Sequence, residues 1–216
     1  LEGHIRQRGG SVVLKTSVSG LAVRGDGIFE IATESAGGGD RAVLTARHLV
    51  LAAGLGASRL GDAMGGKSGY RAPRTYPARG HYYEFDGKAP FRHLVYPMPR
   101  EAWLGIHLTL DVTGRARFGP DLEWQAEPSY VFDEEDDARR RRFVEDIRRY
   151  WPGVTEDRLS PGFVGIRPKI YEQGQPAPDF QIHSECDHGH PRLVALYGIE
   201  SPGLTSALAI GAHVAR

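Results

Sequence analysis

Hydrophobic and polar positions change rhythm several times along the chain, and each change predicts a different element. Ser11–Thr16, Gly20–Arg24 and Ile28–Thr33 alternate in period two, as half-buried strands do, with Gly25-Asp26-Gly27 as a tight turn. His48–Gly54 is instead continuously apolar, the pattern of a parallel strand covered on both faces, and a helical stretch follows from Ala57 to Met64. Arg79–Phe85, His93–Pro97, Trp103–Leu110 and Arg115–Phe118 return to alternation, separated by Gly, Pro and Asp turns, and predict an antiparallel sheet. Asp133–Trp151 carries the clearest helical period: Asp133 can cap it, Glu134, Glu135, Asp136 and Asp137 suit its positive end, and Phe143, Val144, Ile147, Tyr150 and Trp151 make one apolar stripe. Near the end, Leu193–Leu196 forms a short buried strand. Ser201 is then placed as an N-cap and Pro202 in a first turn, and Leu204–Val214 continues as a small-residue helix. These rhythms predict a mixed α/β (α+β) chain, with part of a nucleotide-binding type of sheet beside a mainly antiparallel domain.

Composition narrows the function classes. With 216 residues, 40% hydrophobic and 25% charged, the chain can bury a real core. Lys+Arg and Asp+Glu are both 27, so no global field draws the chain to nucleic acid or anionic lipid. The run Arg139–Arg142 resembles a nucleic-acid patch in isolation, but acidic residues one turn away cancel it and predict a solvated, salt-bridged helix face. A single cysteine, Cys186, excludes an internal disulfide framework and fits a reducing, cytoplasmic setting. No apolar run approaches the roughly 20 residues that span a bilayer, and contact with a membrane periphery or an electron acceptor stays open. His183, Cys186, Asp187, His188 and His190 are metal-ligand types, yet Gly189 and Pro191 make the segment a hairpin loop and no second ligand group accompanies it, so no metal is expected. Gly37-Gly38-Gly39-Asp40 lies between polar strands with no helix after it and is a turn rather than a phosphate loop.

Four places carry candidate chemistry. Tyr197–Thr205 delivers a helix N-terminus from a buried strand, with Gly198 and Gly203 leaving room for a ligand that carries negative charge. Ala53, Gly54 and Gly56 follow an apolar strand, where small residues serve either close ligand approach or tight strand-to-helix packing. His107 stands mid-strand between apolar neighbours, as a hydrogen-bonded structural histidine or as a group on a substrate cavity to which Tyr96 could add a hydroxyl. Arg167, in Gly165-Ile166-Arg167-Pro168-Lys169, offers the planar fork that matches a carboxylate, unless it is an ordinary surface arginine. Lys169 shares its strand face and could assist.

The string GIESPGLTSALAIGAHVA at 198–215 resembles the closing flavin-contacting segment of the D-amino-acid-oxidase-like FAD-dependent oxidoreductases, and in particular their L-2-hydroxyglutarate dehydrogenase/oxidase branch. LVLAAGLGAS, PARGHYY, HLVYPMP followed by LGIHLT, and GIRPK agree in order along nearly the whole chain. The resemblance implies FAD as cofactor, a partial FAD-binding Rossmann-like domain at 1–76 and 171–216, and a substrate domain at 77–170. It implies flavin contacts at Val18, Ala53, Gly54, Gly56, Gly198, Ile199, Glu200, Ser201, Pro202, Gly203, Leu204 and Thr205. His107 would take the hydroxyl proton of a 2-hydroxy acid, Arg167 would grip its carboxylate, and Arg79, Tyr82, Tyr96 and Lys169 would line the pocket. An amine- or amino-acid-oxidising flavoenzyme and an inactive binding module are the alternatives. The family's strand, GxGxxG turn and helix for the pyrophosphate do not occur in these 216 residues. The chain is accordingly expected to be the C-terminal portion of a longer flavoenzyme and, alone, to bind FAD weakly or not at all and to turn over no 2-hydroxy acid.

Overall fold

The computed structural model describes residues 1–67, 69–98, 105–133 and 136–216. They form a mixed α/β structure in two units: Leu1–Pro73 with Gln181–Tyr197 and Ala209–Arg216, and Arg74–Phe180 with Gly198–Leu208.

In the first unit a short helix α1 (Glu2–Gln7) precedes an antiparallel sheet of β1 (Thr16–Val23), β2 (Phe29–Ser35) and β3 (Arg41–Ala46). The strand expected at Ser11–Thr16 is corrected: Lys15 turns the backbone to positive φ, and β1 starts only at Thr16. It then runs through Gly20, where the register slips between Val18 and Gly20, so this glycine marks a bulge and not a strand start. β4 (Leu49–Leu51) pairs in parallel with β11 (Leu193–Tyr197), and β10 (Gln181–His183) pairs antiparallel on β11's other side. The parallel strand is therefore present, but Leu51 is buried while Val50 is 51% exposed, so the described residues do not cover both of its faces. Helix α2 (Ala57–Met64) follows a single 3-10 turn at Gly54–Gly56. It packs Gly61 directly under the Tyr197 hydroxyl, which Tyr70 also holds at 3.0 Å. The segment expected as a hairpin loop after His183 is a one-turn helix, α4 (Glu185–His188), because Ser184 and Asp187 form a reciprocal capping box and Gly189 closes it in the left-handed region.

The second unit is built on one long ladder. β5 (Tyr76–Phe85) pairs antiparallel with β9 (Leu159–Lys169) along its whole length, from Tyr76 opposite Lys169 to Phe85 opposite Leu159, with a bulge between Tyr82 and Tyr83. On its other edge β5 meets β7 (Ala116–Gly119) and the two-residue β8 (Glu123–Trp124), and β6 (His107–Leu110) joins β7. His93–Pro97 contributes a single bridge, Val95 to Leu108, instead of a strand. Trp103 and Leu104 lie outside the described residues. Tyr83, Phe85, Leu108 and Phe118 from the sheet pack against Phe143, Val144 and Ile147 of helix α3 (Asp137–Arg148).

Helix α3 is shorter than its sequence period suggests. Its cap is Asp136, whose carboxylate accepts the Arg139 N–H at 2.9 Å, and not Asp133; Glu134 and Glu135 lie outside the described residues. The hydrogen bond that the Arg139 backbone N–H donates holds the Asp136 carboxyl below its ordinary range. Arg139 also corrects the expectation for the arginine run. One turn before Phe143, it shares the helix's inner face, is 6% exposed, and meets Asp121 at 3.2 Å, Glu123 at 3.1 Å and Asp136 at 3.2 Å. The last helix, α5 (Gly203–Val214), begins later than expected: Ser201 and Pro202 form a turn, and the first intrahelical bond runs from Ser206 N–H to Pro202 O. Among the described residues no helix is long and apolar enough to cross a membrane.

Arg139→Ala deprives three carboxylates, Asp121, Glu123 and Asp136, of a buried partner, a loss of about 3–5 kcal/mol by denaturant titration. Arg141→Ala, on the exposed side of the same run, leaves the unfolding midpoint unchanged.

Candidate functional site

The pleat of β5 sorts its side chains into two sets. Residues directly opposite in an antiparallel pair share a face, so Ala78 goes with Arg167, Gly80 with Gly165, and Tyr82 with Phe163. The rings of Tyr82 and Phe163 stack at 4.4 Å; beside them Pro120 packs against Gly80, and Gly165 leaves open space next to Arg167. A cavity of about 160 Å³ lies here, with Gly80, Tyr82, Gly165 and Arg167 in its lining, the size of a small organic acid more than of a drug-sized ligand.

His107 reaches the same face from β6. It stands opposite Gly119, and Gly119 lies so close to Tyr82 that a Cβ would come within 2.8 Å of its ring, so no side chain separates the His107 and Tyr82 positions. The imidazole is 5% exposed, stacked at 4.3 Å under the half-exposed ring of Tyr96. Its Nδ1 lies 3.1 Å from the Gly105 carbonyl. A carbonyl only accepts, so Nδ1 carries the proton and Nε2 the lone pair. Burial pushes the His107 pKa down and the Arg167 charge pushes it further, against an opposing contribution from Gly105. Burial raises the Tyr82 phenol, and Arg167 counters that through its charge and a hydrogen bond. One guanidinium thus acts on both groups.

Arg167 is itself anchored. Its Nη1 donates to Glu200 at 3.2 Å, and the other Glu200 oxygen accepts from Lys169 Nζ at 2.9 Å. Lys169 is 3% exposed and donates a further bond to the Tyr171 hydroxyl at 2.8 Å. The structure therefore brings His107, Tyr82, Tyr96 and Arg167 together on one sheet face, with Lys169 behind Arg167. Arg79 borders the cavity too, but from the alternate pleat of β5: its guanidinium donates to Glu123 at 2.7 Å and to the Val131 carbonyl at 3.0 Å, on the side of α3.

The residues expected at a cofactor divide between the two units. In the second unit, Gly198 takes a left-handed φ against Ile170, Ile199 packs over Gly203, and the Gly203 N–H donates to the Glu200 carbonyl. Ser201, Pro202, Leu204 and Thr205 are exposed at the start of α5. In the first unit Ala53 and Gly54 are exposed, Gly54 with positive φ and open space where a Cβ would be, Gly56 is half-buried, and Val18 sits half-buried at the β1 bulge. Two features were not anticipated: Phe163 as the stacking partner of Tyr82, and Glu200 as the carboxylate between two cations. The only sequence signal for the second is an acid placed just ahead of a helix start.

Across all of residues 1–216 the chain matches the family described as "FAD dependent oxidoreductase" (DAO). It is 44% identical over 177 residues to the mitochondrial L-2-hydroxyglutarate dehydrogenase of Arabidopsis thaliana, covering 78% of this chain and 37% of that protein. It is 24% identical over 245 residues to L-2-hydroxyglutarate dehydrogenase of Escherichia coli K12, covering 97% and 55% respectively. The chain thus spans between about a third and a little over half of the length of these relatives. Among solved structures it resembles an FAD-bound L-alpha-glycerophosphate oxidase from Mycoplasma pneumoniae, with TM-score 0.78, 20% identity, and coverage of 98% of this chain and 52% of that one. It also resembles glycine oxidase from Geobacillus kaustophilus, with TM-score 0.66, 19% identity, and coverage of 96% and 50%. These likenesses show a shared fold. The chain belongs to the DAO family of FAD-dependent oxidoreductases.

Proposed function

We propose that the protein carrying this chain oxidises a 2-hydroxy acid of the L-2-hydroxyglutarate type to the 2-oxo acid. The observation that supports this most is the buried His107 imidazole, its pKa pushed down by burial and its Nδ1 set against the Gly105 carbonyl, on the same sheet face as Arg167. Such an oxidation removes a proton from the hydroxyl oxygen and a hydride from the carbon that bears it. The substrate carboxylate beside that carbon needs a fixed cation, and the hydroxyl needs a base that is unprotonated near neutrality. Arg167 would supply the cation, His107 the base, and Tyr82 and Tyr96 the aromatic walls, with the Tyr82 phenol kept protonated as a donor. FAD, when bound, supplies the hydride acceptor.

The residues present fit that cofactor. Gly54 leaves open space beside exposed backbone in the first unit, and the turn at 198–203 with the first residues of α5 presents exposed backbone in the second. Val18, Ala53, Gly54, Gly56, Gly198, Ile199, Glu200, Ser201, Pro202, Gly203, Leu204 and Thr205 are the residues that would contact it. A cytoplasmic setting goes with this reading, in which the exposed free thiol of Cys186 stays reduced.

The test is turnover by the flavin-loaded protein with an artificial electron acceptor. L-2-hydroxyglutarate should be oxidised, and glycine and simple amines should not; the reverse preference would replace the reading with amine oxidation. Arg167→Ala should raise KM for the acid about 100-fold, as expected when a buried charged partner is removed, and Arg167→Lys should recover only part of it. Unchanged KM in both variants would remove Arg167 from the site.

The pH dependence follows from the sign of the His107 shift. A base works unprotonated, so kcat/KM should rise with pH through a pKa below the ordinary 6.5 of histidine. Removing the neighbouring charge in Arg167→Met should move that acidic limb to higher pH. A limb that stays in place in Arg167→Met would show that the titrating group is not His107.

A further inference from the structure

Lys169 stood in the sequence as a second hand for the substrate, and its surroundings do not suit that role. Its ammonium is buried at 3% exposure and its bonding directions are taken: Glu200 Oε1 at 2.9 Å, the Tyr171 hydroxyl at 2.8 Å, and the ring faces of Tyr171 at 4.9 Å and Trp124 at 6.0 Å. An amine so enclosed is not offered to a ligand. What it does hold is Glu200, whose other oxygen is bonded to Arg167.

Glu200 has little freedom of its own. Its side chain is 16% exposed, and its carbonyl accepts the Gly203 N–H where α5 begins. Arg167 and Lys169 sit two residues apart on β9 and share a face, so one carboxylate bridges two cations that the pleat fixes side by side. The three groups carry two positive charges and one negative. With Lys169 in place, Glu200 is divided between two partners and Arg167 keeps positive charge to offer. Without Lys169, Glu200 would neutralise Arg167 alone.

We propose that Lys169 is a positioning residue: through Glu200 it fixes the Arg167 guanidinium and preserves the net positive charge that an anionic substrate's carboxylate meets there. The proposal rests on the reading of Arg167 as the carboxylate anchor. It makes the sum of charges in the triad, and not the lysine as such, the determinant of substrate affinity.

That distinction can be measured in the flavin-loaded protein, with KM and kcat for L-2-hydroxyglutarate and calorimetric binding of 2-oxoglutarate as a readout independent of turnover. Lys169→Met brings the triad to zero net charge and should weaken both KM and binding by about tenfold or more, with kcat changed less, since a unit charge a few ångströms away is worth that much at a partly buried site. Glu200→Gln raises the net charge and should tighten both. The double variant Lys169→Met with Glu200→Gln restores a net charge of plus one and should return KM to within about threefold of the wild type. A lysine that only packs the core gives no such rescue. The proposal is overturned if the double variant stays as weak as Lys169→Met, if Glu200→Gln weakens binding, or if Lys169→Met binds as the wild type does while Arg167→Met does not. Wild-type binding in Arg167→Met would instead bring down the anchor reading, and this proposal with it.

Discussion

The ladder between β5 and β9 is the constraint on which the second unit depends. Because side chains alternate along a strand, its ten-residue course commits Ala78, Gly80 and Tyr82 to one face and Arg79, His81 and Tyr83 to the other. A one-residue slip would exchange the two sets and carry Arg167 to the helix side. Register here decides chemistry as much as stability: alternation carries Tyr83 and Phe85 into the core, and β9 absorbs its one extra residue, Gly162, opposite the step from Tyr82 to Tyr83.

The two faces solve different electrostatic problems. On the α3 side, Arg139 meets Asp121, Glu123 and Asp136, Arg79 meets Glu123, and His81 sets its Nδ1 against Asp121 at 2.9 Å, so both arginines meet carboxylates. Removing any one partner is costly, which is the behaviour of a network that holds a helix on a sheet. On the open face Glu200 is shared between Arg167 and Lys169, and the imbalance leaves positive charge next to a neutral imidazole and a protonated phenol. The same residue types thus build structure on one side and a receptive surface on the other. Neighbouring counter-charge makes the difference.

Much of this was legible in the sequence wherever a local rule suffices. Helix α2 starts and stops at Ala57 and Met64 as its pattern predicts, and the apolar stripe of α3 packs as read. The α3 cap was not legible, because Asp133, Asp136 and Asp137 are all chemically able to cap and only the entry path of the chain selects Asp136. Arg139 looked solvated because a run of four arginines hides which one lies a turn ahead of Phe143. Arg79 does border the cavity, as read, but alternation could not tell that its guanidinium is committed to Glu123 and the Val131 carbonyl. Glu200 shows the limit most clearly, since its partners lie more than thirty residues away and no local spacing signals them.

Central to the account is the state of one imidazole. Nitrogen NMR of the histidine side chains, with His107 assigned by its loss in His107→Gln, observes that state without substrate or turnover. The account predicts a neutral ring at pH 7, protonated on Nδ1 with a bare Nε2. An imidazolium at pH 7, or a ring protonated on Nε2, would contradict it.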